Sequence, residues 1–415
     1  MVPNRWEQGR VEDLLQGLES GVSVNGVERP LMNGELGVLK VSAVSYGVFN
    51  KKAVKVIESP KEQQRAKVHP KKGQIIISRS NTEELVGASA YIEADFDHLY
   101  LPDKLWQTVP KSNSDMKWLS YVLSSEHSRY ILSNLATGTS GSMKNITKGE
   151  LLGLKIGVPP LKEQRKIATI LGTWDKAIST TKRLIDNSKQ QKKALMQQLL
   201  TGDHTQRKRL LDDSGKPFKG EWEELEIGEL GTIYSGGTPS TTNKAYWDGD
   251  IDWITPTDIT KQDSVYIKSS VRKISSEGLK NSSAKLVPKG SLLVCTRATI
   301  GEMAITTHEM CTNQGFKNII PNKKTNIEFL FYLLTYKKHK LVSKASGSTF
   351  LELSKNAFES MKFRVPTIDE QQKTASVLSN VDKEIKLFKQ QLAYLKQEKK
   401  ALMQQLLTGK KRVKI

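Results

Sequence analysis

Two acidic residues and a lysine in the first half of the chain have the order found in metal-dependent nucleases. Asp103 follows a proline, and Asp115 and Lys117 come after a short spacer. In such enzymes the two carboxylates converge on one Mg²⁺ ion. The flanking residues do not resemble the paired core strands that would bring these carboxylates together, so a nuclease is the disfavoured interpretation. Loss of DNA cleavage on substitution of both aspartates, with DNA binding intact, would support it.

The sequence contains no other recognisable catalytic arrangement. It has no GxxxxGK[ST] phosphate loop, no GxGxxG after an apolar strand, no HExxH and no GxSxG. The [DNS]PP[YFW] tetrad of adenine methylases is also missing, because the VPPL run at 158–161 lacks both the polar and the aromatic residue. We therefore predict no catalytic residue in this chain.

The two cysteines, Cys295 and Cys311, are too few for a disulfide framework. With His308 between them they would give an incomplete metal site, because structural zinc sites usually have four ligands. We predict no metal site.

Charge is the strongest signal in the composition. The 64 Lys and Arg residues against 44 Asp and Glu residues give a formal net charge of +20 at pH 7, spread along the chain. This balance predicts a polyanionic partner, with nucleic acid favoured over a membrane surface. No apolar run approaches the roughly 20 residues that cross a bilayer, and the first residues lack a signal-peptide core. We expect a cytoplasmic protein.

A long internal repeat predicts the elements that position a partner. The residues KKALMQQLLTG occur at 192–202 and again at 399–409, and the matching register extends backwards without a gap to Pro159 and Pro366. This spacing is far too long for a solenoid. We therefore predict two tandem copies of one unit, a pseudo-twofold monomer that can hold two identical partners.

Both copies of the repeat contain a heptad pattern, at 171–199 and 378–406, with a lysine at the same step of each. Each pattern follows a proline and ends at Thr-Gly, where Gly202 and Gly409 suit a left-handed helix cap. About 38 residues would give helices of roughly 55 to 60 Å. Because an apolar seam is unfavourable in water, we predict that the two helices pack together as an antiparallel coiled coil.

The identity of the helix ends indicates a shared partner. Packing two different helices requires matched apolar residues, whereas equal binding of two equal partners requires the same residues in both copies. A simple spacer or dimerisation role is the alternative. The predicted partner-binding residues are Leu195, Met196, Gln197, Gln198, Leu199, Leu402, Met403, Gln404, Gln405 and Leu406.

The rest of the sequence predicts an α+β protein with two mixed α/β domains. Both domains contain a turn, a short apolar strand and an arginine, in KKGQIIISRS at 71–80 and PKGSLLVCTRATIG at 288–301. Helical stretches are predicted at 116–135 and 327–344. The predicted order is domain 1 at 1–158, helix 1 at 159–205, a linker at 206–220, domain 2 at 221–365, helix 2 at 366–409 and a basic tail at 410–415.

The second domain contains the most specific motif. The run SGGTPSTTNKAYWDGDIDWITPTDI at 235–259 resembles the opening of target-recognition domains in the specificity subunits of Type I restriction-modification systems. The layout of the whole chain is also similar, with two such domains that are each followed by a repeat with a PP.KEQ-like start and an LLTG-like end. Asp252 departs from the proline often found before the tryptophan. Weaker markers lie at 39–49 and 78–87.

This resemblance implies a non-catalytic subunit that docks two modification (methyltransferase) subunits and, through them, restriction subunits. Each target-recognition domain would read one half of a bipartite double-stranded DNA site, and the helices would set the spacing. S-adenosylmethionine, ATP and Mg²⁺ are expected in the partner subunits, and no cofactor in this chain. The alternative is a basic scaffold that binds nucleic acid without sequence preference.

Base readout requires polar side chains at base edges, whereas phosphate contacts position the protein without specifying sequence. Arg79 and Arg297 are the predicted base contacts because each follows its strand at the same place, and a structural ion pair or helix cap is the alternative. Surface charge, a tight turn and aromatic packing are the alternatives for the other predicted contacts. These are phosphate-binding Lys71, Lys72, Arg272 and Lys273, backbone donors in Gly236, Gly237 and Thr238, and the aromatic Tyr46, Tyr246 and Trp247.

Overall fold

The computed structural model describes residues 3–138, 143–201, 209–346 and 351–414. The chain forms two compact units, unit 1 (Met1–Lys182 with Gln391–Ile415) and unit 2 (Arg183–Gln390). Both boundaries fall inside long helices, so the units cut across the bounds predicted for the domains, helices and linker. Those bounds remain predictions.

Unit 1 is a mixed α/β body whose strands alternate with short helices. Its strands are β1 (Glu7–Arg10), β2 (Leu15–Ser20), β3 (Gly37–Leu39), β4 (Val44–Ser45), β5 (Val48–Phe49), β6 (Val54–Val56), β7 (Ile75–Ser78), β8 (Ser80–Asn81), β9 (Ser89–Tyr91), β10 (Leu99–Tyr100), β11 (Leu105–Pro110), β12 (Lys144–Asn145) and β13 (Lys155–Val158). Its short helices are α1 (Pro60–Arg65), α2 (Met116–Ser124), α3 (Glu126–Leu135) and α4 (Lys148–Leu152), with 3-10 turns at Val11–Leu14 and Val41–Ala43.

Two sheets organise the described part of unit 1. The first is antiparallel with the order β2-β11-β7-β9, and the second is mixed with the order β10-β3-β6. The apolar run predicted as a strand at 71–80 is the central strand β7, whose residues are all buried. Period-two alternation is absent from β7 because both faces of the strand are covered.

Unit 2 begins within the first long helix, α5 (Leu161–Leu199), and repeats this plan. Its strands are β14 (Glu223–Glu226), β15 (Gly231–Ser235), β16 (Trp247–Ile254), β17 (Tyr266–Ile267), β18 (Lys273–Ile274), β19 (Leu292–Cys295), β20 (Met303–Thr306), β21 (Cys311–Thr312), β22 (Phe316–Pro321) and β23 (Lys362–Val365). Its helices are α6 (Ile227–Leu230), α7 (Pro256–Thr260), α8 (Ser276–Lys280), α9 (Ile327–Tyr336), α10 (Lys338–Lys344) and α11 (Lys355–Glu359), with a 3-10 turn at Lys244–Tyr246, before the second long helix, α12 (Ile368–Leu406). Its two larger sheets have the orders β15-β22-β19-β20-β17 and β18-β16-β21.

The predicted helical stretches at 116–135 and 327–344 are each divided into two helices. Ser125 has an extended backbone, and its side chain accepts a hydrogen bond from the Ser128 amide at the start of α3. Lys337 separates α9 from α10 without an extended backbone or a side-chain cap. A serine cap satisfies an amide that a new helix leaves open, so it favours a break at this point.

The two long helices have the predicted positions, and each contains 39 residues. Seam residues in α5 are buried or half-buried, and the buried ones include the polar Thr181 and Ser188. Gly409 has a φ of 68°, as expected for a left-handed cap, and a Cβ there would lie 2.3 Å from Cγ of Pro3. Gly202 lies outside the described residues.

Each unit is built from the start of one long helix and the end of the other. In unit 1, Leu171 of α5 and Leu406 of α12 belong to the same hydrophobic core. In unit 2, Leu378 of α12 shares a core with Leu200, which directly follows α5. Neither domain core is therefore completed by its own half of the sequence.

Candidate nucleic-acid interface

The repeated helix ends bury or half-bury their apolar residues: Leu195, Met196 and Leu199 in unit 2, and Leu402, Met403 and Leu406 in unit 1. Leu199 and Leu406 are buried in the fold, so these two side chains are not available to a partner. Full burial of such a side chain stabilises a fold by about 1.5 to 3 kcal/mol. Leu195, Met196, Leu402 and Met403 are half-buried against the cores, and partner binding through them remains a prediction. The neighbouring glutamines Gln197, Gln198, Gln404 and Gln405 are exposed, and Gln404 donates to Glu126 at 3.3 Å.

The lysine at the same step of each heptad seam forms a matching cluster in each unit. In unit 1, Lys399 Nζ lies 2.6 Å from Asp175 Oδ1, and the Tyr121 hydroxyl donates to Asp175 Oδ2 at 2.6 Å. Lys399 also lies over the Tyr121 ring, 5.0 Å from its centroid. Burial and the neighbouring carboxylate raise the pKa of the Tyr121 hydroxyl well above its usual range. The tyrosine therefore stays a hydrogen-bond donor to the aspartate.

Unit 2 contains the same three residue types in the same roles. Lys192 Nζ lies 2.6 and 2.8 Å from the two Asp382 oxygens, and the Tyr332 hydroxyl donates to Asp382 Oδ2 at 2.8 Å. Burial and Asp382 raise the pKa of Tyr332 in the same direction. A buried polar group at a seam position is costly unless all its partners are present, so these clusters favour one register of the helices.

A buried glutamate near the start of each helix binds an arginine from beyond the end of the other helix. In unit 1, Arg412 Nε and Nη2 each lie 2.7 Å from one oxygen of Glu163. In unit 2, Arg209 Nε lies 3.1 Å from Glu370 Oε1, and its Nη2 binds Oε2. The sequence interpretation treated these arginines as parts of a linker and a basic tail. The Glu-Gln pair repeated at both helix starts was the available signal.

Asp115 has a structural role that excludes it from a nuclease site. Its side chain accepts a hydrogen bond from the Trp118 amide at 2.8 Å and so caps α2, and its own amide donates to Gln164 Oε1 at 2.9 Å. Lys117 pairs with Glu93 at 3.1 Å. The nuclease interpretation is therefore not supported. Within the described ranges, no group of three or more His, Cys, Asp and Glu residues has the geometry of a metal site.

The two cysteines are buried and far from ordinary thiol reactivity. Cys295 ends β19 and Cys311 begins β21. Burial raises the pKa of each thiol to about 12. Both behave as small core residues, since the thiolate is the reactive and metal-binding form.

Arg79 and Arg297 do not occupy equivalent positions. Leu105 pairs with Ser78 in unit 1 and Phe316 with Cys295 in unit 2, so these two pairs correspond. The Arg79 amide donates to the carbonyl before Leu105, as the Thr296 amide donates to the carbonyl before Phe316. The counterpart of Arg79 is thus Thr296, and Arg297 lies one residue further along. The prediction that both arginines follow their strand at the same place is wrong.

The surroundings of these arginines differ as well. Arg79 is half-buried, and its Nε is buried without a hydrogen-bond partner in the described part of the chain. The side chain of Arg297 is 43% exposed, and its Nε lies 3.5 Å from Glu352 Oε2, so the ion-pair alternative applies to it. Both remain candidates for DNA contact, but they do not form a symmetric pair of base readers.

Gly236 and Gly237 are buried, and their amides already have partners. They donate to the carbonyls of Phe316 at 3.2 Å and Thr312 at 2.9 Å. The prediction of phosphate-binding donors is therefore wrong for both glycines. A Cβ on Gly236 would lie 1.9 Å from the Asn313 carbonyl oxygen, so close backbone approach requires glycine there.

The neighbouring polar group Thr238 is half-buried and hydrogen-bonds Gln314 through its hydroxyl. In unit 1 the counterpart of Gly236 is Gly21, whose amide donates to Leu105 O at 3.3 Å and whose Cβ would lie 2.1 Å from Leu101 O. The same close approach thus recurs in both units without a shared GGTPS sequence.

The predicted phosphate-binding lysines lie on the surface with different neighbours. Lys71 and Lys72 are exposed at the turn before β7, and Lys71 Nζ lies 3.9 Å from Glu19. Lys273 is half-exposed and lies 3.5 Å from the buried Asp252. Ion pairs are therefore present for Lys71 and Lys273, and in the described part of the chain Lys72 has none. All three lysines lie at the surface, as a phosphate contact requires.

Arg272 is exposed, but aromatic side chains determine its position. Its guanidinium carbon lies 3.8 Å from the ring centroid of Trp247 and 5.3 Å from that of Trp253. The two tryptophan rings meet edge to face, with centroids 5.0 Å apart. The adjacent Val271 is 85% exposed, an unusual position for an apolar side chain. Sequence reasoning missed this cluster because both tryptophans lie on β16, whereas Arg272 lies in a loop distant from that strand in sequence.

Tyr46 forms a comparable stack in unit 1. The guanidinium of Arg129, on α3, lies 3.6 Å from the Tyr46 ring centroid, and the Tyr46 hydroxyl donates to Val86 O at 3.2 Å. Tyr46 is therefore a packed aromatic residue, which was the alternative to a DNA contact. The guanidinium of Arg129 lies beside its ring.

A cavity of about 710 Å³ in unit 1 adds further basic residues that the sequence did not single out. Lys40, Lys51 and Lys52 line it together with Phe96 and His98. Lys51 Nζ lies 5.8 Å from the Phe96 ring centroid. Lysines beside an aromatic ring are the combination that single-stranded or distorted nucleic acid binds.

Known protein families account for both halves of the chain. The family described as the Type I restriction modification DNA specificity domain matches residues 3–188 and 219–397. The chain belongs to this family. The two matched specificity domains carry the corresponding sheets and glycines described above.

Among curated relatives, the Type I restriction enzyme MjaIX specificity subunit of Methanocaldococcus jannaschii is 41% identical over 172 residues, which is 41% of this chain and 40% of that protein. The putative MjaX specificity subunit of the same organism is 26% identical over 419 residues, or 100% of this chain and 95% of that protein. The chain therefore aligns with less than half of the first specificity subunit and with nearly all of the second.

Two solved structures share the fold over nearly the whole chain. The Type-I restriction-modification system S subunit from M. genitalium is 16% identical with a TM-score of 0.60, covering 98% of both chains. A chain from a study of complex assembly and conformational transition of the type I R-M system is 18% identical with a TM-score of 0.59 and the same coverage. The α+β prediction with two specificity domains is thus confirmed. In the described part of the chain, no helix combines the length and apolarity needed to cross a bilayer.

Proposed function

We propose that this chain is the DNA-specificity subunit of a Type I restriction-modification complex, in which each specificity domain reads one half of a bipartite double-stranded DNA site. The observation that carries this proposal is the family match in two separate segments, one in each half of the chain. The formal charge of +20 supports a polyanionic partner. Different exposed side chains on two related scaffolds suit two different half-sites.

The chain is proposed to act without catalysis of its own. Adenine methylation and DNA cleavage would be reactions of the partner subunits, which would bind S-adenosylmethionine, ATP and Mg²⁺. The buried cysteines and the capping role of Asp115 support this division, because neither residue type is placed for chemistry. Such a complex would work in the cytoplasm, where its DNA substrate lies.

The long helices are proposed to pair as an antiparallel coiled coil and to set the half-site spacing. Within unit 1, Asp175 of α5 meets Lys399 of α12, and within unit 2, Lys192 of α5 meets Asp382 of α12. The later residue of α5 is therefore paired with the earlier residue of α12, as in an antiparallel pair. Helices of 39 residues would span about 58 Å, or around 15 to 17 base pairs of duplex. Adding or removing helical turns should change the spacer and leave both half-sites unchanged.

Two modification subunits are proposed to dock on the exposed faces of the helices, with restriction subunits binding through them. The exposed glutamines Gln197, Gln198, Gln404 and Gln405 repeat on both helix ends. On α12, Leu387 is 64% exposed and Tyr394 is 60% exposed, and exposed aromatic and apolar side chains are typical centres of protein interfaces. Substituting Tyr394 with alanine should weaken co-purification of a methyltransferase subunit.

The test is to co-express the chain with the methyltransferase subunit encoded beside it and to map methylated adenines in genomic DNA. We expect one bipartite sequence with a fixed spacer and two methyltransferase copies per chain. A scaffold without sequence preference predicts equal affinity for all duplexes, which competition binding with unrelated DNA would detect. Methylation without a defined sequence, or recruitment of a single methyltransferase copy, would contradict the proposal.

A further inference from the structure

The segment after β17 combines an exposed apolar side chain, a stacked arginine and a fixed backbone. We propose that Val271 and Arg272 form a base-reading head in the DNA major groove, with Arg272 reading a guanine and Val271 contacting the methyl group of an adjacent thymine. This inference rests on the proposed function and assigns base recognition to residues in unit 2 that the sequence treated as a phosphate contact or did not single out.

Stacking fixes Arg272 and leaves its hydrogen-bonding groups available. The guanidinium lies 3.8 Å from the centroid of the Trp247 ring, and a planar cation held by its face presents its N–H groups at the edge. In the described residues, no hydrogen bond or ion pair engages these N–H groups. A fixed fork of this kind matches the O6 and N7 acceptors of guanine. A phosphate contact would need only the charge.

The backbone on either side of Val271 is held by two aspartates. Asp252, 6% exposed, accepts hydrogen bonds from the amide and hydroxyl of Ser270, both at 2.9 Å. Asp258 accepts a hydrogen bond from the Val271 amide at 3.0 Å. A loop that is ordered before binding loses little conformational entropy when it meets a ligand. These hydrogen bonds hold the loop in a conformation that exposes the Val271 side chain.

Asp252 has the contacts of a positioning residue. His308 Nε2 lies 2.9 Å from its second oxygen, and Lys273 Nζ lies 3.5 Å from its first. Burial alone would raise the pKa of the Asp252 carboxyl, but the hydrogen bonds from Ser270 and His308 and the charge of Lys273 outweigh burial, and the pKa lies below its usual range. The carboxylate therefore stays charged and keeps its hold on the loop.

The charge of this surface favours DNA over a protein partner. Arg272, Lys273 and the exposed Lys268 lie on the same segment, and the nearby carboxylates of Asp252 and Asp258 are engaged within the domain. The segment at 268–273 therefore carries three basic residues around one apolar side chain. In the major groove, the thymine methyl is the apolar group that such a side chain contacts.

The experiment uses the full-length protein and the DNA site mapped with its methyltransferase. Arg272→Lys keeps the charge and removes the fork, and Val271→Ala removes the methyl contact, while Arg364→Lys and Val342→Ala are matched exposed controls in the same unit. We expect Arg272→Lys to weaken binding to the mapped duplex about tenfold or more, within the range for one bidentate base contact. Preference for one guanine in one half-site should relax, with the other half-site unchanged as an internal folding control.

Base analogues test the same contacts in the wild-type protein. Replacing the contacted guanine by 7-deazaguanine and the adjacent thymine by deoxyuridine should each reduce affinity, and the deoxyuridine effect should disappear in Val271→Ala. If Arg272→Lys reads the same half-site with unchanged affinity, or if no neighbouring guanine and thymine respond to the analogues, the inference is overturned. A variant that no longer recognises either half-site has a folding defect. In that case the base-analogue measurements on the wild-type protein test the inference. Failure of the proposed function is different, because the wild-type protein would then prefer no duplex.

Discussion

The helix ends and the exposed domain surfaces differ in how closely the two units match each other. The Lys-Asp-Tyr clusters at Asp175 and Asp382, and the Arg-Glu pairs at Glu163 and Glu370, have the same residue types and contacts in both units. The surfaces share a scaffold but place their arginines differently. Repetition therefore marks the part that performs one task twice, and divergence marks the part that performs two tasks.

The offset between Arg79 and Arg297 makes this contrast specific. Their strands correspond residue by residue, yet the arginines differ by one position, and the stacked arginines Arg129 and Arg272 come from unrelated elements. A shift of one residue in extended chain moves a side chain to the opposite face. The two domains therefore present different chemistry to DNA on closely similar frameworks.

The largest expected effect comes from unequal burial of the two arginine-glutamate pairs. Arg209 is 13% exposed, whereas Arg412 is 36% exposed and can regain water when its partner is lost. Glu370→Gln should lower the free energy of unfolding by about 3 kcal/mol, because one buried charge loses its partner. Glu163→Gln should cost less. Urea unfolding with the exposed Glu224→Gln as a control measures both, and equal losses would show that the pairs are energetically equivalent.

The two tyrosine clusters should respond alike. Tyr121→Phe and Tyr332→Phe each remove one hydrogen bond to a carboxylate that keeps its lysine. Each should lower the free energy of unfolding by about 1 to 2 kcal/mol, and the double variant should show a nearly additive loss. The exposed Tyr394→Phe is the control. A difference of more than about 1 kcal/mol between the two single variants would contradict the equivalence of the clusters.

A smaller effect is expected where the two sheets differ in a buried residue. Lys317 on β22 is 5% exposed and corresponds to Trp106 on β11. Among the described residues Lys317 has no ion pair, and burial of an unpaired lysine is costly, so Lys317→Met should raise the free energy of unfolding by on the order of 1 kcal/mol. Thermal unfolding measures the change, with the exposed Lys323→Met as the control. A destabilised variant would indicate that Lys317 has a stabilising partner.

The smallest effect concerns stability at alkaline pH. Folding raises the pKa of Tyr121 and Tyr332 above the usual 10.0, so above this pH the unfolded chain has released protons that the folded chain keeps. The free energy of unfolding should therefore fall as pH rises above about 10. The double Tyr→Phe variant should lose less stability over this range than the wild type. Parallel curves from denaturant titrations at several alkaline pH values would contradict the assignment.

The helices and central strands were predictable because local patterns determine them. A heptad pattern with a proline before it and a glycine after it specifies the length of α5 and α12, and a short β-branched run such as Ile75–Ser78 specifies a buried strand. The sequence shows a glycine at position 236, but it does not show that this glycine allows close backbone approach. Its amide partners come from Phe316 and Thr312, which no local pattern brings near.

The site predictions failed where distant pairing decides the result. The sequence analysis placed Arg79 and Arg297 at the same point after their strands, but strand pairing shifts one of them by a residue. The repeat did not predict that the end of each long helix packs in the core that contains the start of the other. Identical residues at the helix ends are compatible with a partner surface as well as with a domain core. Arg272 was predicted as a phosphate contact, and its stacking was missed because its tryptophans lie on β16, away from it in sequence.

The closing of each unit by the helix end from the other half has a genetic consequence. Both units receive the same MQQLL segment, so either body can accept either end without any new interface. Recombination within the duplicated segment would join foreign halves while preserving the apolar contacts that this segment makes. Under the proposed function, exchange of whole halves would give new target sequences without a change in the enzymatic partners.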